Sequence, residues 1–241
     1  MEKMVKLLAY FFIFSMTMDV FSGNAKYPDD NHYTDSGFFD IHVCNWPDRA
    51  PFYMILYSTI RFNDIKSVEI MNASGEKLAA LDLSKFKILT TKKKTEKRVF
   101  INQIGLPDDY KDGWFSAKIM LNNGDVHMAK DFVKHGIMPM ASGQSPANRD
   151  EISDVPKALR WSAVKGAGYY RVFIKDKWDE DKLILSSALL KEPKLMLPVS
   201  LLERGGYYSW RIHARDVNED IKLGDFNQGS LNREQEFTIA Y

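Results

Sequence analysis

A single cysteine, Cys44, stands among the 241 residues, so no disulfide can form within the chain and neither a thiolate zinc site nor dithiol redox chemistry is available to it. Charge of one sign is also missing. Lys and Arg number 33 against 32 Asp and Glu, a formal net charge of +1, and a dedicated nucleic-acid binder needs a basic excess gathered on one face. Nucleic acid is therefore excluded as a partner, and any charged partner must be met by a local patch. No segment of ten or more residues carries a capped i, i+3, i+4 apolar stripe; residues 184–190 offer at most a short helical turn. Gly-x-Ser-x-Gly, His-Glu-x-x-His, the P-loop and the dinucleotide fingerprint are all absent. With 45% hydrophobic residues, the chain is neither collagen-like, disordered nor a disulfide scaffold, and its length suits one large or two small domains.

The first 25 residues differ from the rest. Lys3 and Lys6 precede an apolar run over residues 7–14 that is short for a bilayer, and Gly23 and Ala25 supply small residues for a peptidase. This is the pattern of a cleaved secretory signal, with an anchor running on through Phe21 as the alternative; Asp19 interrupts both. No cysteine stands near the cut, which argues against a lipoprotein. Cleavage removes two lysines and two acids, so the charge balance is unchanged. The expected location is periplasmic or secreted, with no stable transmembrane segment after cleavage. Cys44 then meets an oxidising compartment without a partner in its own chain, and stability must come from packing.

From residue 36 onward the periodicity is two. Phe39, Ile41 and Val43 alternate with Asp40, His42 and Cys44, and Val68 and Ile70 flank Glu69 ahead of an Asn-Ala-Ser-Gly turn. Residues 114–121 and 126–133 are joined through Asn122-Asn123-Gly124-Asp125, a hairpin signal because Asn-Gly accepts positive φ. Regular strands without helices predict an all-β chain of two tandem sandwiches. Residues 136–155 are rich in Pro, Gly and Ser and lack periodicity, as in a linker, with the domain boundary near residue 145.

The second half carries a family resemblance. Leu159-Arg160-Trp161, Tyr170-Arg171-Val172, and the stretch from Leu202 through Gly206-Tyr207-Tyr208-Ser209-Trp210 to Ala214 resemble strands B, C and E–F of a fibronectin type III domain. The resemblance covers residues 156–241 and makes Tyr208 the corner tyrosine, with its hydroxyl on upstream backbone and its ring inside. It also makes residues 236–241 the closing strand. The chain departs from that pattern at Arg204, where proline is usual, and in the long segment 217–233. Residues 36–135 more loosely resemble an immunoglobulin-like β-sandwich of no named family. Type III domains usually present loops for contact or act as spacers, so the resemblance implies a non-enzymatic protein.

The candidate contact residues fall in two loops. Trp178 sits in Lys177-Trp178-Asp179-Glu180-Asp181, flat apolar area edged by carboxylates, as a sugar platform or a protein hot spot requires; covering the sandwich end is the alternative. Asp216, Asn218 and Asp220 begin like a calcium loop, but Ile221 replaces the required Gly and Asn227 the terminal Glu. A looser cation site with Asp225, or a solvated turn, remains. Phe226, among glycines and amides, is a second aromatic candidate. Asp40, His42 and Cys44 share one strand face, but neighbours there are about 7 Å apart, too far for an easy tetrahedral site. They read as an exposed or partly covered face. Lys92, Lys93, Lys94, Lys97 and Arg98 form a basic cluster diluted by Glu96, read as a solvated loop with an anionic polymer or membrane surface as the sharper alternative.

No cofactor, catalytic residue or metal ligand is expected. The leading expectation is an exported binding protein that contacts a protein or cell-envelope component through sandwich loops. A carbohydrate-binding module using Trp178 and Phe226 is the alternative, and a hydrolase using Asp179, Asp216 and Asp225 is a distant third.

Overall fold

The computed structural model describes residues 30–90, 95–216 and 226–241. Residues 1–25, expected as a secretory signal, therefore lie outside the described residues. The described chain is all-β, interrupted only by a 3-10 turn at Phe62–Asp64. Among the described residues no helix is long and apolar enough to cross a membrane.

The first sandwich is built from β1 (Tyr33–Thr34), β2 (Gly37–Asn45), β3 (Phe52–Thr59), β4 (Ile65–Met71), β5 (Lys77–Ala80), β6 (Lys87–Thr90), β7 (Glu96–Gly105), β8 (Gly113–Leu121) and β9 (Val126–Val133). One sheet runs β2-β3-β7-β6 and the other β5-β4-β8-β9. Alternation along each strand sends every second side chain inward. Phe39, Ile41 and Val43 of β2 meet Tyr53, Ile55 and Tyr57 of β3 and, from the opposite sheet, Val68, Ile70, Phe115 and Ile119. The Asn-Gly hairpin forms as expected, with Trp114 paired to Phe132 and Met120 to Val126.

The second sandwich comprises β10 (Asp150–Ile152), β11 (Ala158–Arg160), β12 (Tyr169–Asp176), β13 (Lys182–Ser186), β14 (Lys194–Met196), β15 (Tyr207–Arg215), β16 (Gln228–Leu231) and β17 (Gln235–Ile239). A two-stranded sheet of β11 and β14 accompanies a larger one in which β12 and β17 flank β15. Trp161, Tyr170, Val172, Tyr208, Trp210 and Phe237 are buried in its core. The Tyr208 hydroxyl accepts the Glu203 N–H at 3.1 Å, which makes the corner. Arg204, in place of the usual proline, ties the corner to the preceding chain by donating to the Ser153 carbonyl at 2.7 Å and to Asp154 at 2.6 Å. Residues 182–186 form a strand on β12 instead of a helical turn, because ladder pairing satisfies their backbone. The closing strand is split: β16 pairs with the end of β15 and β17 with its beginning. Asn232 fills the break, taking the Ile212 N–H on its side chain at 2.6 Å.

The half of the closing strand that precedes the break joins the two sandwiches. β16 runs parallel to β2, placing Gly229 beside Cys44 and Ser230 beside Asn45, and the Val43 N–H donates to the Asn227 carbonyl at 2.9 Å. One sheet thus passes from β3 through β2 and β16 into β15. Residues 136–155, expected as a linker, are docked into this junction. Met138 and Ala141 are buried in the second core, Pro139 accepts from Ser230 at 2.8 Å, and Met138 accepts from Asn45 at 2.9 Å. Within the same segment β10 pairs with β17. Such polar composition reads as a linker, but the carbonyls of Met138, Pro139, Pro146 and Ser153 all accept from side chains of the two sandwiches.

Candidate functional site

Asp40, His42 and Cys44 are buried, at 1%, 0% and 0% exposure, not on an open face. The reason is the junction: cross-strand pairing carries the outward face of β2 over Gly229 to Arg215, and from there to Tyr169. His213 pairs with Arg171 on the same face. The Phe226 ring lies 4.0 Å from the His42 ring, 5.5 Å from that of His213, and 4.8 Å beneath the Arg215 guanidinium. Gly229 permits this approach, since a Cβ there would meet His213 and the Phe226 ring at 2.8 Å.

The charges at this junction are sorted by neighbours. Burial opposes the His42 imidazolium, but the Asp40 carboxylate at 3.3 Å and the adjoining Cys44 outweigh it and raise its pKa to about 10. Burial, with Arg215, His42 and Arg171 nearby, holds His213 well below its ordinary value. Neutral His213 then accepts on Nδ1 from the Arg215 Nε at 3.1 Å. Burial and Arg171 bring Arg215 down to about 9, which still leaves it charged at neutral pH. A second knot lies against β9. Burial pushes Asp131 up to about 6 against its bond from His32, with Asp40 acting in the same direction, while the Ile41 N–H donates to it at 2.7 Å. His32 bridges Asp131 at 3.0 Å and Asp30 at 2.7 Å.

The accessible candidate is the turn after β12. Trp178 is 73% exposed, so it does not cover the sandwich end. The turn is nevertheless pinned. Asp176 Oδ1 accepts the N–H groups of Trp178 at 2.9 Å and Asp179 at 3.3 Å, and Asp179 accepts the Lys182 ammonium at 2.6 Å. Glu180 and Asp181 take positive φ of 50° and 60°, a left-handed turn that suits Asp better than Glu. Lys177 reaches Asp181 at 2.5 Å and Glu236 at 3.4 Å. The Trp178 ring stands edge-on to Tyr207, centroids 5.7 Å apart and planes at 69°, and Tyr207 donates to Glu236 at 2.5 Å.

The remaining candidates do not join this turn. Asp216 accepts the Gln228 N–H at 2.9 Å; burial raises its pKa against the hydrogen bonds from Gln228 and Asn227. Asn218, Asp220 and Asp225 lie outside the described residues, as do Lys92, Lys93 and Lys94. Phe226, expected as a surface ring, is 2% exposed and serves as packing between the sandwiches. Trp178 adjoins the start of β15 and Phe226 approaches its end, about 25–30 Å apart at about 3.3 Å per residue along this nine-residue strand. Lys97 is buried, and burial brings its ammonium down to about 7, while Arg98 lies 3.6 Å over the Phe62 ring and 4.3 Å over that of Phe86. Neither belongs to a solvated loop. Among the described residues, no group of three or more His, Cys, Asp or Glu side chains is arranged to hold a metal ion.

Sequence reasoning missed the junction and the role of Tyr207. The one available signal was the alternation of Arg211, His213 and Arg215 on β15, a polar run on a strand otherwise apolar, as Asp40 and His42 are on β2. No protein-family model and no curated protein sequence matches the chain. Solved structures align loosely with it. A titin fragment is 12% identical, covering 80% of this chain and 61% of that one, at a TM-score of 0.29. Dimeric latent PorU from Porphyromonas gingivalis is 16% identical over 90% of this chain and 21% of that one, at 0.27. Dpr2 immunoglobulin domains in complex with DIP-Theta are 11% identical over 85% and 98%, at 0.29. The chain spans less than two thirds of the titin and PorU structures, and scores this low carry no argument about function.

Proposed function

We propose that this chain is an exported, non-enzymatic binding protein that engages a protein partner, such as a cell-envelope component, through the Trp178 turn of a fibronectin type III-like second sandwich. The tyrosine corner at Tyr208 supports the type III reading of that half, while β16 lies in the segment where the chain departs from it. The observation that carries the proposal is the exposure of Trp178 on a turn whose backbone is already tied down. A large ring carried on a backbone that Asp176 already fixes costs less ordering on binding, a condition under which Trp becomes a hot spot. A protein is favoured over a glycan because Tyr207 stands edge-on to Trp178 and adds no coplanar stacking area, while Phe226 is packed away. The buried junction supplies stability, since its ionisable groups have no surface on which a substrate could settle.

The test is a pull-down from an envelope extract with the wild-type chain and with Trp178→Ala, alongside a glycan array. The expected result is a protein captured by the wild type with affinity reduced about thirtyfold in the variant, the scale of a hot-spot Trp worth about 2 kcal/mol. Capture unchanged by the substitution, or glycan binding that depends on Trp178, overturns the reading.

A further inference from the structure

The outward face of the β4-β8-β9 sheet is open, unlike that of β2 and β3. Trp114, Val126 and Met128 are 43%, 46% and 44% exposed, and Trp114 meets Phe132 across the hairpin with ring centroids 5.5 Å apart. The register interleaves these residues with cations. Along the hairpin, Trp114 opposite Phe132 is followed on the same face by Ser116 opposite Lys130, and then by Lys118 opposite Met128. On β4, Glu69 is level with Lys118, but its carboxylate is held by Lys77 at 2.6 Å. Among the described residues no carboxylate forms an ion pair with Lys118 or Lys130. Three lysines against one carboxylate leave the face a surplus of positive charge, in a chain whose total is only +1.

The interleaving decides what fits there. An accessible apolar patch marks a contact with protein or with membrane. The centre of a protein contact is depleted in lysine, because an ammonium between apolar side chains is desolvated, and charge gathers at the rim. Here the lysines stand inside the apolar area. A lipid surface accepts that order: each lysine stem lies along its apolar neighbours while the ammonium reaches the phosphate layer, and Trp114, Val126 and Met128 enter among the headgroups. The surplus of positive charge selects anionic lipid. We propose that the outward face of β8 and β9 is a peripheral docking surface for a bilayer rich in anionic phospholipid. This surface is distinct from the Trp178 turn and stands independently of how that turn is read.

Co-sedimentation of the full chain with vesicles tests this, comparing equal parts of phosphatidylglycerol and phosphatidylcholine with phosphatidylcholine alone. The expected result is binding to the anionic vesicles, weakened as salt is raised, and none to the neutral ones. Lys118→Ala with Lys130→Ala is expected to lower the partition coefficient about thirtyfold, about fivefold for each lysine. Lys118→Arg with Lys130→Arg is expected to retain it, and Met128→Asp to lower it by removing apolar area. Urea midpoints close to that of the wild type show each variant to be folded. Every variant keeps the same first 25 residues, so binding carried by that segment does not respond to these substitutions. Binding unmoved by the alanine pair overturns the proposal, as does equal binding to both vesicle types or no binding to the anionic ones. Capture of an acidic protein that depends on Lys118 and Lys130, without vesicle binding, overturns it as well and gives the face to a protein partner.

Discussion

The two sheets of the first sandwich begin with the same alternating pattern and end in different surroundings. On β8 and β9 one face packs inward and the other meets solvent, so burial follows the period of two. On β2 and β3 nearly every residue is buried, Asp40 and His42 included, because the sheet continues into the second sandwich. An outward polar residue is therefore informative only when the fate of its strand's neighbours is known. On β8, Lys118 remains a surface lysine; on β2, His42 becomes part of an ionic junction whose desolvation is offset by a neighbouring carboxylate.

Phe226→Ala probes the buried side most strongly. Removing a ring packed among His42, His213 and Arg215 is expected to cost about 3–5 kcal/mol in urea denaturation; a loss no larger than that of a surface substitution removes the distinction between the sheets. The pH dependence is the next effect. His42 has its folded pKa raised from 6.5 to about 10, so its stabilisation is complete below 6.5 and is lost as pH rises through 10. His213 is shifted the other way, so its contribution is present above 6.5 and is lost as pH falls below it. The stability difference between wild type and His42→Gln should therefore shrink between pH 7 and pH 10, read from urea midpoints; a difference flat across that range removes the ion pair from the account. Met128→Thr on the open face is the smallest effect, within about 0.5 kcal/mol. A cost of several kcal/mol there means that this face is covered too.

Much of the fold was legible in the sequence because local rules sufficed. The Asn-Gly hairpin, the inward set of Phe39, Ile41 and Val43, and the corner at Tyr208 each depend on residues close together or on one alternation. What was not legible depends on pairing between distant segments. Nothing local distinguishes a Gly229 that borders β2 from one in a loop, and the amides and carbonyls of residues 136–155 reveal their partners only once both sandwiches are placed. Of the candidate site, the Trp178 turn was visible because its ring and carboxylates are contiguous. Phe226 was misplaced because a glycine-rich neighbourhood also suits close approach of backbone to a packed ring. Lys97 was misplaced because a charged run carries no mark of which member the fold covers, here one that shares the Val99 face of β7.

The central claim is that β2 and β16 close a single sheet across both sandwiches, and Cys44, buried directly beside Gly229, reports on it. The rate of Cys44 labelling by a thiol reagent under native conditions, followed as urea is raised, measures the opening of that junction alone. Labelling is expected only through global unfolding, with the urea dependence of the whole chain. Rapid labelling while both sandwiches remain folded would contradict a continuous sheet and leave two domains that merely touch.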